Sequence, residues 1–248
     1  MRVCLAISSA IVLATTAPAP AVDWYTGAPG DAVTQRTAPT VAIDTAVDIT
    51  SQNGLAVAMI GTIAPFTPMD ESGFRLRIAA LGGKYNYTST DYGLINGALA
   101  QGSFAVGYEF VSRQLTIGGY VGPEISYNGI NPNDPNNTVK GTWVGVKVGL
   151  DFYATPTEAT MVSGVGAFET VHNAYYGRLK LGLAIVNQVY AGPEFLALGD
   201  NFFHQWRVGG HLSGFKFGMV QLGVSGGYLF DYVRGPGAYG ILESRVAF

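Results

Sequence analysis

The chain has 248 residues, a formal net charge of −3, 34 glycines, 12% aromatic residues and only 12% charged ones. A mild acidic balance without a basic patch excludes nucleic acid as a partner. The charged fraction is about half the roughly 25% of ordinary globular chains, which points away from a soluble domain and toward a membrane.

In chain order, Arg2, the apolar run Val3–Thr15 and the small-residue site Ala19-Pro20-Ala21 read as an export signal, residues 1–21. The apolar run is shorter than the roughly 20 residues a spanning helix needs. Cys4, the only cysteine, lies within this signal, so disulfides and cysteine-ligated metals drop out, and no cofactor or metal is expected. Residues 22–39, rich in Ala, Pro and Thr and without periodicity, form a periplasmic lead-in segment.

From Thr40 onward the period becomes two. Val41, Ile43, Val47 and Ile49 alternate with Ala42, Asp44, Ala46 and Asp48; Phe74, Leu76 and Ile78 alternate with Arg75 and Arg77. Beyond the signal no stretch is long and apolar enough for a membrane helix. Since lipid requires every backbone polar group to be paired internally, a closed barrel remains. A soluble sandwich would alternate too, but not with this composition. The expected fold is an all-β, antiparallel up-and-down transmembrane barrel over residues 40–248. About twelve strands are predicted: 40–50, 54–64, 73–87, 93–110, 114–126, 141–153, 159–171, 176–186, 188–197, 204–213, 218–230 and 238–248.

The connections fall into two sets, as in bacterial barrels with short periplasmic turns and longer outer loops. Residues 111–113, 154–158, 187 and 214–217 form the short set. Residues 65–72, which belong with them, are too long. The outer set includes 127–140, with Asn131-Pro132-Asn133-Asp134-Pro135 as turn chemistry. Tyr85, Tyr87, Tyr92, Tyr127, Tyr175, Tyr176, Phe203, Phe230 and Tyr232 at outer strand ends, and Phe110, Phe152, Tyr153 and Phe215 at the others, are predicted to form interfacial girdles. The terminal Phe248 closes an alternating strand and is similar to the signal that barrel proteins present to their insertion machinery.

Several segments resemble the cellulose biosynthesis protein BcsS family: Gly73-Phe-Arg-Leu-Arg, Gly107-Tyr-Glu, Tyr120-Val-Gly, Asn173-Ala-Tyr-Tyr-Gly-Arg178, Gly192-Pro-Glu194, Gln205-Trp-Arg207-Val-Gly209 and His211-Leu-Ser-Gly214. No single motif is diagnostic; order and spacing carry the likeness. The resemblance implies an outer-membrane barrel acting in the synthesis, export or surface anchoring of cellulose, with cellulose or its secretion complex as partner beside outer-membrane lipid. It supplies no site residues.

Parity places Arg75, Glu109, Glu124, Lys147, Asp151, Arg178, Lys180, Glu194, Arg207, Glu243 and Arg245 in the lumen, as a polar network. Antiparallel pairing predicts Arg75 beside Glu109, Arg245 beside Asp44, and Glu194 between Arg178 or Lys180 and Arg207. Such pairs fill and stiffen a narrow barrel or form a selective constriction. Tyr120-Val-Gly-Pro-Glu124 is echoed by Tyr190-Ala-Gly-Pro-Glu194; with Trp143 these tyrosines offer ring faces to sugar C–H groups, a glucan contact. The alternative is a repeated backbone device around the prolines. Glu124 and Glu194 lie on strands distant in order, which argues against a hydrolytic carboxylate pair. The rival functions are a general small-solute channel and a lipid- or peptide-processing rim enzyme built on His172 and His204, with Glu169, Asp200 and Ser163 nearby. No spacing enforces a catalytic contact, so the chain reads as non-enzymatic.

Overall fold

The computed structural model describes residues 39–248 except Asn187, so the expected export signal and nearly all of the lead-in segment lie outside the described residues. Twelve strands follow one another: β1 (Val41–Thr50), β2 (Leu55–Ile63), β3 (Gly73–Ser89), β4 (Gly93–Val111), β5 (Leu115–Asn131), β6 (Gly141–Thr157), β7 (Thr160–Glu169), β8 (Tyr175–Val186), β9 (Val189–Gly199), β10 (His204–Phe217), β11 (Val220–Asp231) and β12 (Gly235–Ala247). Each pairs antiparallel with its sequence neighbours, and β1 pairs with β12 to close the barrel. All twelve expected strands are present. The wall is taller along β3–β6, where β5 runs on to Asn131 and β6 to Thr157.

The distribution of side chains is inverted relative to a water-soluble protein. Val144, Leu183, Phe74 and Ile78 are exposed on the outer face, while Arg75, Asp151, Glu194 and Glu243 are buried inside. Water would expel those apolar side chains and solvate those charges. An acyl-chain environment outside a polar lumen satisfies both, so the molecule is a transmembrane barrel. No helix among the described residues is long and apolar enough to cross a membrane; the strands do so.

One end carries the connections 51–54, 90–92, 132–140, 170–174, 200–203 and 232–234 and is called the loop end. The other, the turn end, carries 64–72, 112–114, 158–159, Gln188 and 218–219, with Thr40 beside Phe248. The amides of Thr40 and Val41 donate to the Phe248 carbonyl (3.1 and 3.0 Å), which fastens the closing seam.

The girdle assignment needs correction at five residues, among them Phe203, which lines the loop-end mouth. Tyr92, Tyr127, Tyr175, Tyr232 and Phe110 are exposed outside, but Tyr85 and Tyr87 share the parity of Arg75 and Arg77 and point into the loop-end mouth. Tyr176 also lines the mouth, and Tyr153 is buried in the lumen against Met161 and Tyr190. Alternation outranks position along the strand, because a residue on the inner face cannot reach the interface.

Candidate functional site: a crossed lumen beneath an open cup

The inner faces bring all eleven expected network residues into the lumen. At the turn end, Arg75 Nε donates to Glu109 Oε2 (2.7 Å), and Arg245 lies 3.4 Å from Asp44 across the seam, both as the pairing predicts. The overlong connection 64–72 explains itself here. It folds over the opening, with the Pro68 and Glu71 carbonyls accepting from Arg75 Nη2 at 3.2 and 2.5 Å. Met69 is buried against Ala42 and Ala64. Arg75 thus serves as a post that holds a flap across one side of the turn end.

Deeper in, several bonds cross the lumen between strands that are not neighbours. From β3, Arg77 reaches Asp151 on β6 (2.7 Å), its guanidinium stacked 3.4 Å over the Tyr120 ring, while the Tyr120 hydroxyl donates to Glu109 Oε1 (2.8 Å). On the opposite side, Arg178 of β8 pairs with Glu194 on β9 (2.5 Å) and with Glu243 on β12. Lys180 Nζ also meets Glu243 (2.5 Å), and the Tyr239 hydroxyl donates to Glu194 Oε1 (2.9 Å). Arg207 does not join Glu194 as expected. Its register partner on β9 is Leu196, which places it nearer the loop end, and its guanidinium crosses to Asp48 on β1 (2.7 Å) and to Gln205. Lys147 pairs with Glu169 (2.6 Å), whose second oxygen accepts from Gln101 Nε2 (3.1 Å). Glu124 is the exception: it is buried, yet neither carboxylate oxygen has a hydrogen-bond partner among the described residues.

Above these bridges the barrel opens at the loop end into a cup of about 260 Å³. Tyr85, Tyr176, Gln101, Asn128, Gln205 and Arg207 are among its lining residues. Two features of the mouth had no local sequence signal. Phe202, in the 200–203 connection, packs edge-on against Tyr87 of the diametrically opposite wall at 5.1 Å. The 132–140 connection folds inward so that Asp134 accepts from the Tyr87 hydroxyl and Asn137 Nδ2 donates to it, both at 3.0 Å. Two connections therefore converge on one tyrosine.

The expected glucan contacts fare differently. Tyr120 and Tyr190 are 5% and 3% exposed, one beneath Arg77 and the other packed with Tyr153 and Met161, so neither ring presents a face to the cup. Trp143 has inward parity but stands at the rim, 47% exposed, edge-on to His172 at 4.9 Å, with Nε1 donating to the Lys140 carbonyl. At the mouth His204 Nδ1 bonds the Tyr175 hydroxyl (3.2 Å), whereas Ser163 is buried on β7, paired in register with Lys180 inside the wall. A serine–histidine pair does occur, His211 Nδ1 with Ser213 Oγ at 2.9 Å, but it is buried in the lumen with His211 Nε2 on the Leu181 carbonyl (3.0 Å). With Nε2 donating to that carbonyl, Nδ1 accepts from the serine, which leaves a satisfied structural imidazole. No cluster of three metal-ligating side chains occurs among the described residues.

The model of the cellulose biosynthesis protein BcsS family matches residues 43–248, all but the first two residues of the barrel wall. The chain belongs to this family. It is a cellulose-biosynthesis-associated barrel protein. Comparison with curated proteins gives no match. Among solved structures the chain is similar to a KdgM porin, with 12% identity, a TM-score of 0.45 and coverage of 84% of this chain and 99% of that one. It also resembles a CymD monoaromatic hydrocarbon channel, at 8% identity, a TM-score of 0.41 and coverage of 86% and 89%. A third likeness is to a bacterial polysaccharide outer membrane secretin, at 10% identity, a TM-score of 0.32 and coverage of 86% and 100%. These likenesses are distant, and the barrel is established by its own strand pairing.

Proposed function

We propose that this BcsS-family protein sits in the outer membrane with its loop end outside and acts in cellulose biosynthesis as a closed, non-enzymatic surface scaffold. The carrying observation is the set of bridges that cross the lumen, Arg178–Glu243 and Lys180–Glu243 buried, Arg77–Asp151 and Arg207–Asp48 part-buried. A twelve-stranded cylinder falls between barrels filled by side chains and those that leave a water channel, and here cross-lumen pairs occupy the interior. Short turns belong to the periplasmic side in bacterial barrels, which gives the orientation. The barrel insertion machinery, outer-membrane lipid and the cellulose secretion complex are its partners in this reading. A general small-solute channel would need a water path where Glu243 and Arg178 meet. A rim enzyme would need a nucleophile beside His172 or His204.

Planar-bilayer recording of the purified protein tests the reading. The wild type should show no steady conductance, and Glu243→Ala, which removes the carboxylate shared by Arg178 and Lys180, should show frequent openings. Steady wild-type conductance would overturn the closed scaffold and favour a conduit.

A further inference from the structure

We infer that the loop-end cup is a binding site for the end of a neutral, hydroxyl-rich glucan chain; this rests on the scaffold reading only for its orientation. The argument begins with what the cup's charges already do. Arg207 is bound to Asp48 (2.7 Å), Arg234 to Asp231 (2.6 Å) and Glu169 to Lys147 (2.6 Å), so these floor and wall ions are held in pairs, with Lys84 and Asp200 also on the lining. An ionic ligand seated on these groups would have to break one of the pairs and leave a part-buried charge uncompensated, which disfavours charged occupants there.

The neutral polar groups are in the opposite condition. The Tyr176 hydroxyl has no hydrogen bond to any described residue. Asn128 uses only its Oδ1, accepting from Tyr85 at 3.4 Å, and Gln101 only its Nε2, donating to Glu169. The cup thus offers a phenol, an amide N–H and an amide carbonyl with open valences, the donor and acceptor set that sugar hydroxyls satisfy.

The third element is a flat apolar platform. A Cβ on Gly97 would lie 2.2 Å from Cζ of Tyr85, so the phenol ring lies over the bare backbone of β4. One ring face is seated on the wall and the other turns to the cup that Tyr85 lines. Tyr87 stands beside it, its ring nearly parallel (18°) at 6.5 Å, but it is buried against Phe202, so Tyr85 supplies the open face. A ring held flat in this way is preorganised for the C–H face of a pyranose. The volume, about 260 Å³, lies just below the range of roughly 300–1,000 Å³ typical of small-ligand pockets. It therefore suits one or two sugar units at a chain end and not a threaded polymer.

Calorimetry with the full-length mature protein in detergent, titrated with cellohexaose and with a hexamer of galacturonate, tests the assignment. Cellohexaose should bind and the anionic hexamer should not. Tyr85→Ala should weaken cellohexaose at least about tenfold, and Tyr176→Phe, which removes only the hydroxyl, by about threefold. Tyr232→Ala, outside the cup, should leave binding unchanged. Heat-modifiable gel mobility confirms that each variant is folded, and Tyr176→Phe keeps the test valid should Tyr85→Ala misfold. Absence of cellohexaose binding, equal binding of the galacturonate, or indifference to both cup variants would overturn the site. Steady conductance of the wild type would sink the closed scaffold while leaving a positive titration standing, so the two failures are separable.

Discussion

Tyr120–Glu124 on β5 and Tyr190–Glu194 on β9 share one sequence pattern and one backbone device, yet their carboxylates live in opposite circumstances. In both, the Gly-Pro step interrupts the ladder to the preceding strand. Register pairs run Ser103↔Glu124 then Val106↔Val121 on one side, and Lys180↔Glu194 then Leu183↔Ala191 on the other, and both resume unshifted. Proline has no N–H to donate, and each preceding glycine lets a neighbouring carbonyl approach. A Cβ would sit 1.9 Å from the Phe104 oxygen at Gly122 and 1.9 Å from the Leu181 oxygen at Gly192. The echo is therefore a repeated strand device that aims the following glutamate inward. What the glutamate meets is decided inside the lumen: Glu194 receives Arg178 from the neighbouring strand and Tyr239 from β12, whereas Glu124 receives no hydrogen bond. A local motif fixes where a side chain points, and the side chains of other strands fix its energy.

The largest expected effect separates the two carboxylates directly. Glu194→Gln should cost about 3 kcal/mol, the low end for breaking a buried pair, because Arg178 keeps Glu243. Urea unfolding in lipid vesicles, followed by gel mobility, would measure it. The device itself should prove equal at both sites: Gly122→Ala and Gly192→Ala should each cost about 1–3 kcal/mol through backbone displacement. Unequal values would show that the shared pattern does not impose a shared geometry. Glu124→Gln should lie within about 0.5 kcal/mol of wild type or stabilise the barrel, since no hydrogen bond is lost and the contact with the Glu169 carboxylate is relieved. A loss as large as that of Glu194→Gln would mean that the two glutamates are equivalent after all.

The same division governs what could be read from the sequence. Strand count, inward and outward faces and the neighbour pairs Arg75–Glu109 and Asp44–Arg245 follow from the period of two and from antiparallel order, which are local. The bridges Arg77–Asp151, Arg178–Glu243 and Arg207–Asp48 join strands separated around the ring. Their partners depend on barrel diameter and strand stagger, which no segment encodes alone. The place of Tyr85 and Tyr87 at strand ends points to the girdle, although they share the parity of Arg75 and Arg77 and so face inward. The length of the 64–72 connection was the one visible trace of the flap over the turn end, and nothing local marked Phe202 as reaching the far wall.

A carboxylate outside the membrane-spanning wall supplies the smallest and sharpest contrast. Asp200, in the 200–203 connection, is pushed above its ordinary pKa by burial, against the pull of hydrogen bonds from the Phe202 and Phe203 amides. The folded mouth then binds this proton more tightly than the unfolded chain does. Its packing should be firmest below the unfolded aspartate pKa and weaken as pH rises to the higher folded value, with no further change above it. Asp200→Asn keeps an Oδ1 acceptor for both amides and abolishes the titration. It should leave stability within about 0.5 kcal/mol at neutral pH and flatten the acid-range change in near-ultraviolet circular dichroism from the Tyr87–Phe202 contact. A variant that retained the full pH response would show that the titration belongs to another group at the mouth. A loss comparable with Glu194→Gln would show that the Asp200 charge, and not its hydrogen-bonding oxygen, holds the connection across the cup.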